Sequence, residues 1–323
     1  MKAMVCTRYG APEVLELQQL DKPIPKADEI LVKVRASTVT AGDCEMRSFQ
    51  FPVLLWIPLR LFFGLRKPRR NVLGQEFAGE IEETGKEQTK FKKGDLVYGS
   101  TELKLGAYAD YLCLPSSYAI AHMPVGHSFE EAATIPTGGM NALFFLRKAK
   151  IQAGQKVLII GAGGSIGTIA VQLAKNQGAR VTAIDSKEKL DMLLSIGADN
   201  VIDYRQEDFT KNGETYDVIF DVAGKSPFSK TLKSLKPKGV YLMGNPSITQ
   251  LFRRLFPTNR GNRKIIAGAA DYKVKDLQYL NELMADGRIK PVIDRTFSLN
   301  QLREAHHYVE SGVKKGNVVI TNS

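Results

Sequence analysis

Residues 157–167 read Val157-Leu-Ile-Ile-Gly161-Ala-Gly163-Gly164-Ser165-Ile166-Gly167, an apolar run that ends in a glycine-rich turn. The run predicts a short strand. The residues after the glycine-rich turn have the 3.6-residue spacing of an amphipathic helix. One face of this helix would carry Ile166, Ile169, Ala170, Leu173 and Ala174. Glycines let the chain turn sharply and let its backbone approach a pyrophosphate, which the positive end of the helix dipole attracts. This order of strand, loop and helix indicates a dinucleotide-binding site; the alternative is an ordinary glycine-rich turn.

An acidic residue follows the loop at the distance that such a site requires. Asp185 lies 24 residues after Gly161, directly after the predicted strand Val181–Ile184. A carboxylate there hydrogen-bonds the adenine ribose hydroxyls and repels a 2′-phosphate, which favours NAD(H). Lys187 and Lys189 could instead attract that phosphate, or could begin a solvated helix. The predicted cofactor is therefore NAD(P)H, with a slight preference for NAD(H).

Strands alternate with helices from about Phe129 onward, whereas residues 1 to about 125 are β-rich. Further strands are predicted at 201–202, 218–222 and 240–243, and helices at 190–196 and 274–285. Gly197 suits the position after the first of these helices because glycine tolerates the left-handed conformation. The alternation implies a parallel sheet with helices on both faces. In the β-rich part, alternating strands are predicted at 29–35, 77–83 and 95–98, and the chain closes with a strand at 317–320.

The length of 323 residues predicts about two domains. Hydrophobic residues make up 43% and charged residues 24%, which argues against a disordered or fibrous chain. Three scattered cysteines argue against a disulfide framework, so a reducing, cytoplasmic location is expected. Neither a signal peptide nor a transmembrane run is predicted. The net charge of +11 could attract phosphates, nucleic acid or an anionic membrane, or could reflect a solvated face beside an anionic cofactor site.

Several motifs spread along the chain carry a family resemblance. Besides the glycine loop and Gln172-Leu-Ala-Lys175, they are Gly74-Gln-Glu-Phe-Ala-Gly79, Gly94-Asp-Leu-Val-Tyr-Gly99, Glu130-Glu-Ala-Ala-Thr-Ile-Pro136, Gly139-Met-Asn-Ala-Leu143 and Gly197-Ala-Asp-Asn-Val-Ile-Asp-Tyr204. In this order the chain resembles the medium-chain dehydrogenase/reductase superfamily, in its zinc-free quinone oxidoreductase-like branch, over essentially its whole length. The resemblance implies an α/β fold with a GroES-like β-barrel catalytic domain (1–125 and 267–323) and an inserted Rossmann domain (126–266) with a doubly wound parallel sheet. It also implies an active site in the cleft between the domains, and a homodimer.

Two motifs that hold catalytic zinc in alcohol dehydrogenases of this superfamily are altered here. Thr40-Ala-Gly-Asp43 replaces Cys-x-x-Asp, and Gly74-Gln75-Glu76 replaces Gly-His-Glu. A hydroxyl and a neutral amide are poor zinc ligands, so no metal is predicted. Without a Lewis acid, the favoured acceptor is one that is already electrophilic: a small hydrophobic quinone or α,β-unsaturated carbonyl.

Two other functions stay open. One is a metal-free NAD(P)-dependent alcohol dehydrogenase or aldehyde reductase. The other, from a different class, is a dinucleotide-binding protein whose main role is association with RNA or membranes. The net charge of +11 suggests this hypothesis. Proteins that bind single-stranded nucleic acid typically alternate aromatic and basic residues, and this pattern is weak in the present sequence. No specific nucleic acid partner is therefore predicted.

Asp43 is the first catalytic candidate, because in related sequences its segment lines the cleft. We expect it to orient the substrate or handle a proton, with Thr40 or Cys44 nearby. The alternative is that Asp43 caps a helix, a position that aspartate favours. No residue stands out as a general acid, so the proton could also come from water.

The predicted cofactor-binding residues are Thr137, Gly161, Gly163, Gly164, Ser165, Ile166, Gly167, Asp185, Lys189, Tyr204, Ala223, Gly244 and Asn317. Thr137 resembles the family position near the nicotinamide amide, although it could also cap a helix. Tyr204 resembles the residue that flanks the adenosine, or packs on a strand. Ala223 and Gly244 follow later strands, where the backbone usually contacts the nicotinamide half. Asn317 begins the last predicted strand and could reach the cofactor.

Two segments combine apolar and basic residues, namely 49–70 and the shorter Leu251-Phe-Arg-Arg-Leu-Phe256. The first segment is not expected to span a membrane, because it is interrupted by Pro52, Pro58 and Arg60. It could be core with a basic rim, a lid over a hydrophobic acceptor, or a weak peripheral contact with an anionic membrane.

Overall fold

A computed structural model describes residues 1–246, 250 and 262–322 of the chain. In chain order, the strands of this part are β1 (Lys2–Cys6), β2 (Leu15–Gln19), β3 (Glu29–Thr38), β4 (Glu76–Thr84), β5 (Leu96–Ser100), β6 (Tyr111–Pro115), β7 (Ile120–His122), β8 (Lys156–Ile160), β9 (Arg180–Asp185), β10 (Asn200–Asp203), β11 (Tyr216–Asp221), β12 (Leu235–Met243), β13 (Lys264–Ala267), β14 (Ile293–Ser298) and β15 (Asn317–Thr321). The α-helices are α1 (Ala41–Ser48), α2 (Trp56–Phe63), α3 (Phe129–Ala133), α4 (Pro136–Ala149), α5 (Ser165–Asn176), α6 (Leu190–Ser195), α7 (Phe228–Lys233), α8 (Val274–Ala285) and α9 (Leu302–Glu310).

The chain divides into two compact units. The first comprises Met1–Thr137, Tyr272–Ala285 and Pro291–Ser323, and the second comprises Gly138–Asp271 and Asp286–Lys290. Both ends of the chain therefore build the first unit, and most of the second unit is inserted between them. The domain boundaries near residues 125 and 266 stay predictions.

A six-stranded parallel sheet forms the second unit, in the order β10-β9-β8-β11-β12-β13. In strand β8, Val157, Leu158 and Ile159 are all fully buried, as the continuous apolar run of a central parallel strand requires. The strand order reverses between β8 and β11, and ligands of open α/β sheets bind at such a switch point. The predicted doubly wound sheet is confirmed.

Helix boundaries in the second unit follow local sequence signals. Helix α5 buries the predicted face, including Ile169 and Leu173, and extends to Asn176. Helix α6 ends at Ser195, and Gly197 follows with a φ of +105°. A residue with a side chain would be strained in that left-handed conformation, so the glycine ends the helix there.

The sheet of the first unit has the order β14-β15-β3-β4-β5-β7, with β6 also paired to β3. Strand β3 is central: its Lys33 and Arg35 are half-buried, and its apolar side chains are buried. It pairs antiparallel with β4, β6 and the C-terminal strand β15. The last strand of the chain thus returns to the N-terminal sheet, as the resemblance implies for a GroES-like domain.

Candidate functional site

Glycine is sterically required at two positions of the loop between β8 and α5. Gly161 has a φ of +76°, and a Cβ built on it would lie 3.0 Å from the Cβ of Ala223. A Cβ on Gly167 would lie 2.5 Å from the carbonyl oxygens of both Gly161 and Ala162. A contact of 2.5 Å is essentially never seen for a real Cβ, and a φ of +76° strains a residue with a side chain, so the tight turn depends on both glycines.

Gly164 differs from its neighbours because space around it is open. It is the N-cap of α5, its backbone is extended, and no side chain caps the helix there. Apart from the two adjacent residues, the nearest atom to a Cβ on Gly164 would be the Gly161 carbonyl oxygen, 3.9 Å away. Ser165 and Ile166 begin the helix beyond it, where the helix dipole is positive. Open space at a helix N-terminus suits the binding of a phosphate group.

Asp185 ends strand β9 and holds the glycine loop. Its Oδ2 accepts a hydrogen bond from the Gly163 amide at 2.7 Å, and its Oδ1 accepts one from the Ser186 amide at 2.9 Å. The Lys189 Nζ lies 3.0 Å from Oδ1, and both side chains are less than a tenth exposed. Asp185, predicted to bind the ribose hydroxyls, and Lys189, predicted to attract a 2′-phosphate, thus form an ion pair with each other.

Aspartates end three strands of the parallel sheet: Asp185 on β9, Asp203 on β10 and Asp221 on β11. Asp221 is buried, and its Oδ1 accepts a hydrogen bond from the Gly224 amide at 2.8 Å. Its Oδ2 accepts one from the Tyr241 hydroxyl at 3.2 Å. Asp221 therefore shapes the turn after β11, a role that the sequence analysis did not assign. An aspartate as the last residue of a predicted strand is the signal that could have indicated it.

Parallel pairing brings several predicted cofactor residues to one edge of the sheet. Tyr204 follows β10, is 56% exposed, and donates its backbone amide to the Asp185 carbonyl at 3.2 Å. Ala223 follows β11 and packs beside Gly161. Gly244 follows β12 and donates its amide to the Asp221 carbonyl at 2.8 Å. Together with the glycine loop, these residues form the carboxyl edge of the sheet at its switch point.

Thr137 and Asn317 belong to the first unit. The Thr137 amide, in the first turn of α4, donates to Glu76 Oε1 at 2.6 Å. Asn317 is buried at the start of β15, where its Nδ2 donates to the Val292 carbonyl at 3.1 Å. The Oδ1 atom of Asn317 has no hydrogen-bond partner among the residues that the structure describes. Their assignment to cofactor binding stays a prediction.

Thr40 and Asp43 form a capping box at the start of helix α1, so the capping alternative for Asp43 holds. Asp43 Oδ2 accepts from the Thr40 amide at 2.9 Å and from the Thr40 hydroxyl at 2.7 Å. Asp43 is 1% exposed, and its Oδ1 finds no hydrogen-bond partner within the described residues. Burial raises the pKa of Asp43 to about 6, although the hydrogen bonds from Thr40 oppose the shift. A capping residue with one unsatisfied oxygen can still hold a proton.

Glu76 is a second buried carboxyl group in the first unit, and it was not among the predicted catalytic residues. Thr38 donates its hydroxyl to Glu76 Oε2, and the Thr137 amide donates to Oε1. Burial, with a smaller contribution from the negative charge of Asp43, raises the pKa of Glu76 to about 7, although the hydrogen bonds from Thr38 and Thr137 oppose the shift. Burial thus makes both Asp43 and Glu76 bind a proton more tightly than an exposed carboxyl group does.

Replacing Glu76 by glutamine is expected to change how stability depends on pH. Because the folded-state pKa of Glu76 is above its unfolded value of 4.5, the wild-type protein loses stability as pH rises from 4.5 to about 7. Glu76→Gln should abolish about 3 kcal/mol of that loss, which corresponds to the difference between the two pKa values. Urea titrations of both proteins across this range measure the difference. Parallel pH profiles for the two proteins would contradict the prediction.

Because the buried His306 also makes stability depend on pH, the wild-type profile alone does not isolate the contribution of Glu76. Burial, together with the charge of Arg47, lowers the pKa of His306 to about 3. Its contribution to stability is therefore lost as pH falls from 6.5 towards 3, the opposite trend to that of Glu76. The difference between wild type and Glu76→Gln cancels the histidine contribution.

The sequence comparisons agree with this geometry. Residues 26–138 match the family model of the alcohol dehydrogenase GroES-like domain, and residues 196–320 match that of zinc-binding dehydrogenases. A 2-methylene-furan-3-one reductase of Solanum lycopersicum is 31% identical, over 99% of this chain and 79% of that protein. The chain belongs to the medium-chain dehydrogenase/reductase superfamily. Its place in the quinone oxidoreductase-like branch of that superfamily is confirmed as well.

Two further relatives cover almost all of the chain. An NADPH-dependent alkenal/one oxidoreductase of Arabidopsis thaliana is 28% identical, over 99% of this chain and 79% of that protein. The structure of the quinone oxidoreductase from Coxiella burnetii is 28% identical and superposes with a TM-score of 0.89, covering 100% of this chain and 99% of that one. The protein is therefore an NAD(P)-dependent oxidoreductase of this superfamily.

The donor groups near Thr40 do not suit the zinc ion that one of the matched family models names. A Cβ on Gly42 would lie 2.9 Å from the Gln75 Nε2, so an amide and a hydroxyl occupy this place. Cys44 faces elsewhere: its Sγ lies 3.4 Å from His306 Nδ1 within an apolar cluster. Burial raises the pKa of this thiol well above its ordinary value, so the thiol stays protonated at neutral pH.

Proposed function

We propose that the protein transfers a hydride from NAD(P)H to a small hydrophobic quinone or α,β-unsaturated carbonyl. The observation that carries the proposal is the open face at Gly164, at the N-terminus of α5 and at the switch point of the parallel sheet. The names of the relatives supply the acceptor class, since they include an alkenal/one oxidoreductase and a quinone oxidoreductase.

When bound, NAD(P)H supplies the hydride from C4 of its nicotinamide, and the acceptor also takes up one proton. A quinone or enone is already electrophilic, so positioning and hydrogen bonds to the developing oxyanion suffice. We assign the proton-holding role to Asp43, whose pKa of about 6 lets it carry a proton near neutral pH. Thr40 orients it through two hydrogen bonds. The Cys44 thiol points towards His306 instead, so we assign it no part in this step.

Oxidation of NADH and NADPH, followed by absorbance, tests the proposal. We expect turnover with a quinone or an enone, and the same rate after incubation with a chelator. Reduction of an aldehyde alone would instead support the metal-free aldehyde reductase. Loss of turnover on chelation would overturn the argument from the Thr40 and Gln75 donors.

The coenzyme preference follows from the pair of Asp185 and Lys189. We propose a slight preference for NADH, because the Asp185 carboxylate opposes a 2′-phosphate while the Lys189 ammonium, 3.0 Å away, offsets most of that charge. Lys189→Met should therefore increase the preference for NADH by roughly fivefold in kcat/KM, the effect of losing about 1 kcal/mol of screened charge attraction to the 2′-phosphate. The ratio of kcat/KM for the two coenzymes measures it, with Lys187→Met as the matched control. A shift towards NADPH in Lys189→Met would refute this role of the ion pair.

Two further expectations accompany the proposed function as predictions. The superfamily resemblance favours a homodimer, which sedimentation velocity would detect. The cysteines favour a cytoplasmic location: all three are free and buried, as a reducing compartment allows. No specific nucleic acid partner is proposed.

A further inference from the structure

Helix α2 and the residues on either side of it expose an unusual amount of apolar surface. The large side chains that point outward, from 58% exposed at Leu61 to 76% exposed at Val53, form what we call the apolar face: Val53, Leu54, Ile57, Leu61, Phe62 and Leu65. Single exposed apolar residues are common on soluble proteins, but six within residues 53–65 indicate an interaction surface. The interpretation of this part of segment 49–70 as core is therefore wrong.

The opposite side of the helix is fixed to the first unit. The Arg60 guanidinium lies over the rings of Phe49 and Tyr9, at 4.2 and 4.6 Å from their centroids. The Tyr9 hydroxyl donates to the Gly64 carbonyl at 3.0 Å, and the Phe63 ring stacks with that of Phe51. The apolar face is thus the outer side of an ordered, packed helix.

Positive charge borders the apolar face, and negative charge is absent from its segment. The sequence between Glu45 and Glu76 contains no acidic residue. Directly after the helix lie the four exposed cations that we call the basic cluster: Arg66, Lys67, Arg69 and Arg70. A depression beside the helix is lined by both kinds of group, among them Phe62, Phe63, Arg69 and Arg70.

We propose that the apolar face and the basic cluster together dock the protein onto an anionic lipid bilayer. Apolar side chains next to a row of cations match the boundary between acyl chains and negatively charged headgroups. Among the described residues, none of the helices combines the length and the apolar character that a membrane span needs. The shorter segment 251–256 lies outside the described residues and contributes nothing to this proposal.

Charge favours a bilayer over a second copy of the chain as the occupant. A second copy would carry the same basic cluster and the same net charge of +11, so two such faces would meet with like charges. An anionic surface would instead neutralise the cluster while the apolar side chains leave water.

The only tryptophan of the sequence makes the proposal directly measurable. Trp56 begins helix α2 and is 43% exposed, so its fluorescence reports on this segment alone. The experiment mixes the full-length protein with vesicles of phosphatidylcholine, or of phosphatidylcholine and phosphatidylglycerol in equal parts. We expect flotation with the anionic vesicles only, a blue shift of the Trp56 emission, and quenching by brominated lipid chains.

Two double variants separate the apolar from the electrostatic contribution. Ile57→Ser/Phe62→Ser should weaken vesicle binding by at least roughly tenfold, through lost apolar burial. Arg66→Gln/Lys67→Gln should weaken it by roughly tenfold or more, through lost attraction to the headgroups. Circular dichroism and melting temperature check that each variant is folded.

Matched variants elsewhere on the first unit serve as controls. Ile24→Ser/Val125→Ser removes two apolar side chains that are 83% and 95% exposed, and Lys92→Gln/Lys93→Gln removes two exposed cations. Both controls should bind vesicles like the wild type. The proposal falls if anionic vesicles neither bind the protein nor shift its emission, or if the controls lose as much affinity as the test variants. It also falls if Ile57→Ser/Phe62→Ser converts a dimer to a monomer, since the face would then join two copies. The readouts measure lipid binding without turnover, so the proposal stands or falls separately from the proposed function.

Discussion

Replacing Gly164 by leucine is expected to weaken NAD(P)H binding by roughly 1,000-fold, about 4 kcal/mol, with little change in melting temperature. The backbone of Gly164 is extended, so leucine is tolerated there without strain, and the space around it is open. A side chain in that space would occupy the approach to the N-terminus of α5, where the pyrophosphate is proposed to bind. Fluorescence titration with NADH and NADPH, together with thermal melts of the same samples, measures both quantities.

Gly167→Ala provides the opposite pattern as a control. A methyl group there would lie 2.5 Å from two carbonyl oxygens of the loop, so the variant should lose stability by roughly 2 kcal/mol or more. If Gly164→Leu bound the coenzymes normally, or if it melted as early as Gly167→Ala, the proposed phosphate site at the loop would be incorrect.

The glycine loop could be predicted from sequence because its signals are local. A strand, a tight turn and an amphipathic helix follow one another within residues 157–176, and each has its own pattern. Asp185 could be predicted as well, because parallel pairing places the end of the second strand beside the end of the first. The ion pair of Asp185 with Lys189 could not be predicted, since i,i+4 spacing allows the contact but does not require it.

Contacts between distant segments account for what the sequence did not indicate. Glu76 is an ordinary acidic residue at the start of a strand until packing buries it beside Thr38 and the Thr137 amide. Its raised pKa arises from desolvation, which a linear sequence does not show. For the same reason, the apolar residues 53–65 were compatible with core, lid or membrane contact, because hydropathy alone does not tell which face of a helix is covered.

The burial of Arg47 depends most strongly on contacts between distant segments, and it could not be predicted from the sequence. It is fully buried in helix α1, and its guanidinium donates to the Gly10 carbonyl, to Glu310 and, at 3.3 Å, to His306 Nδ1. It therefore joins α1 to the loop after β1 and to α9 by charge-assisted hydrogen bonds. A buried guanidinium is tolerated only when its donors are satisfied in this way.

Arg47→Ala is expected to lower the free energy of unfolding by about 3 kcal/mol, because it empties a fully buried site and removes the cation that binds the partly exposed Glu310 and the half-buried Gly10 carbonyl. Denaturant titration measures this loss. Arg205→Ala is the control: Arg205 pairs with Glu188 at 3.2 Å on an exposed surface, and its removal should cause no measurable change. The double variant Arg47→Met/Glu310→Gln should recover part of the stability, because it removes both charges together. A loss in Arg47→Ala no larger than that in Arg205→Ala would show that the buried cation does not join the three segments.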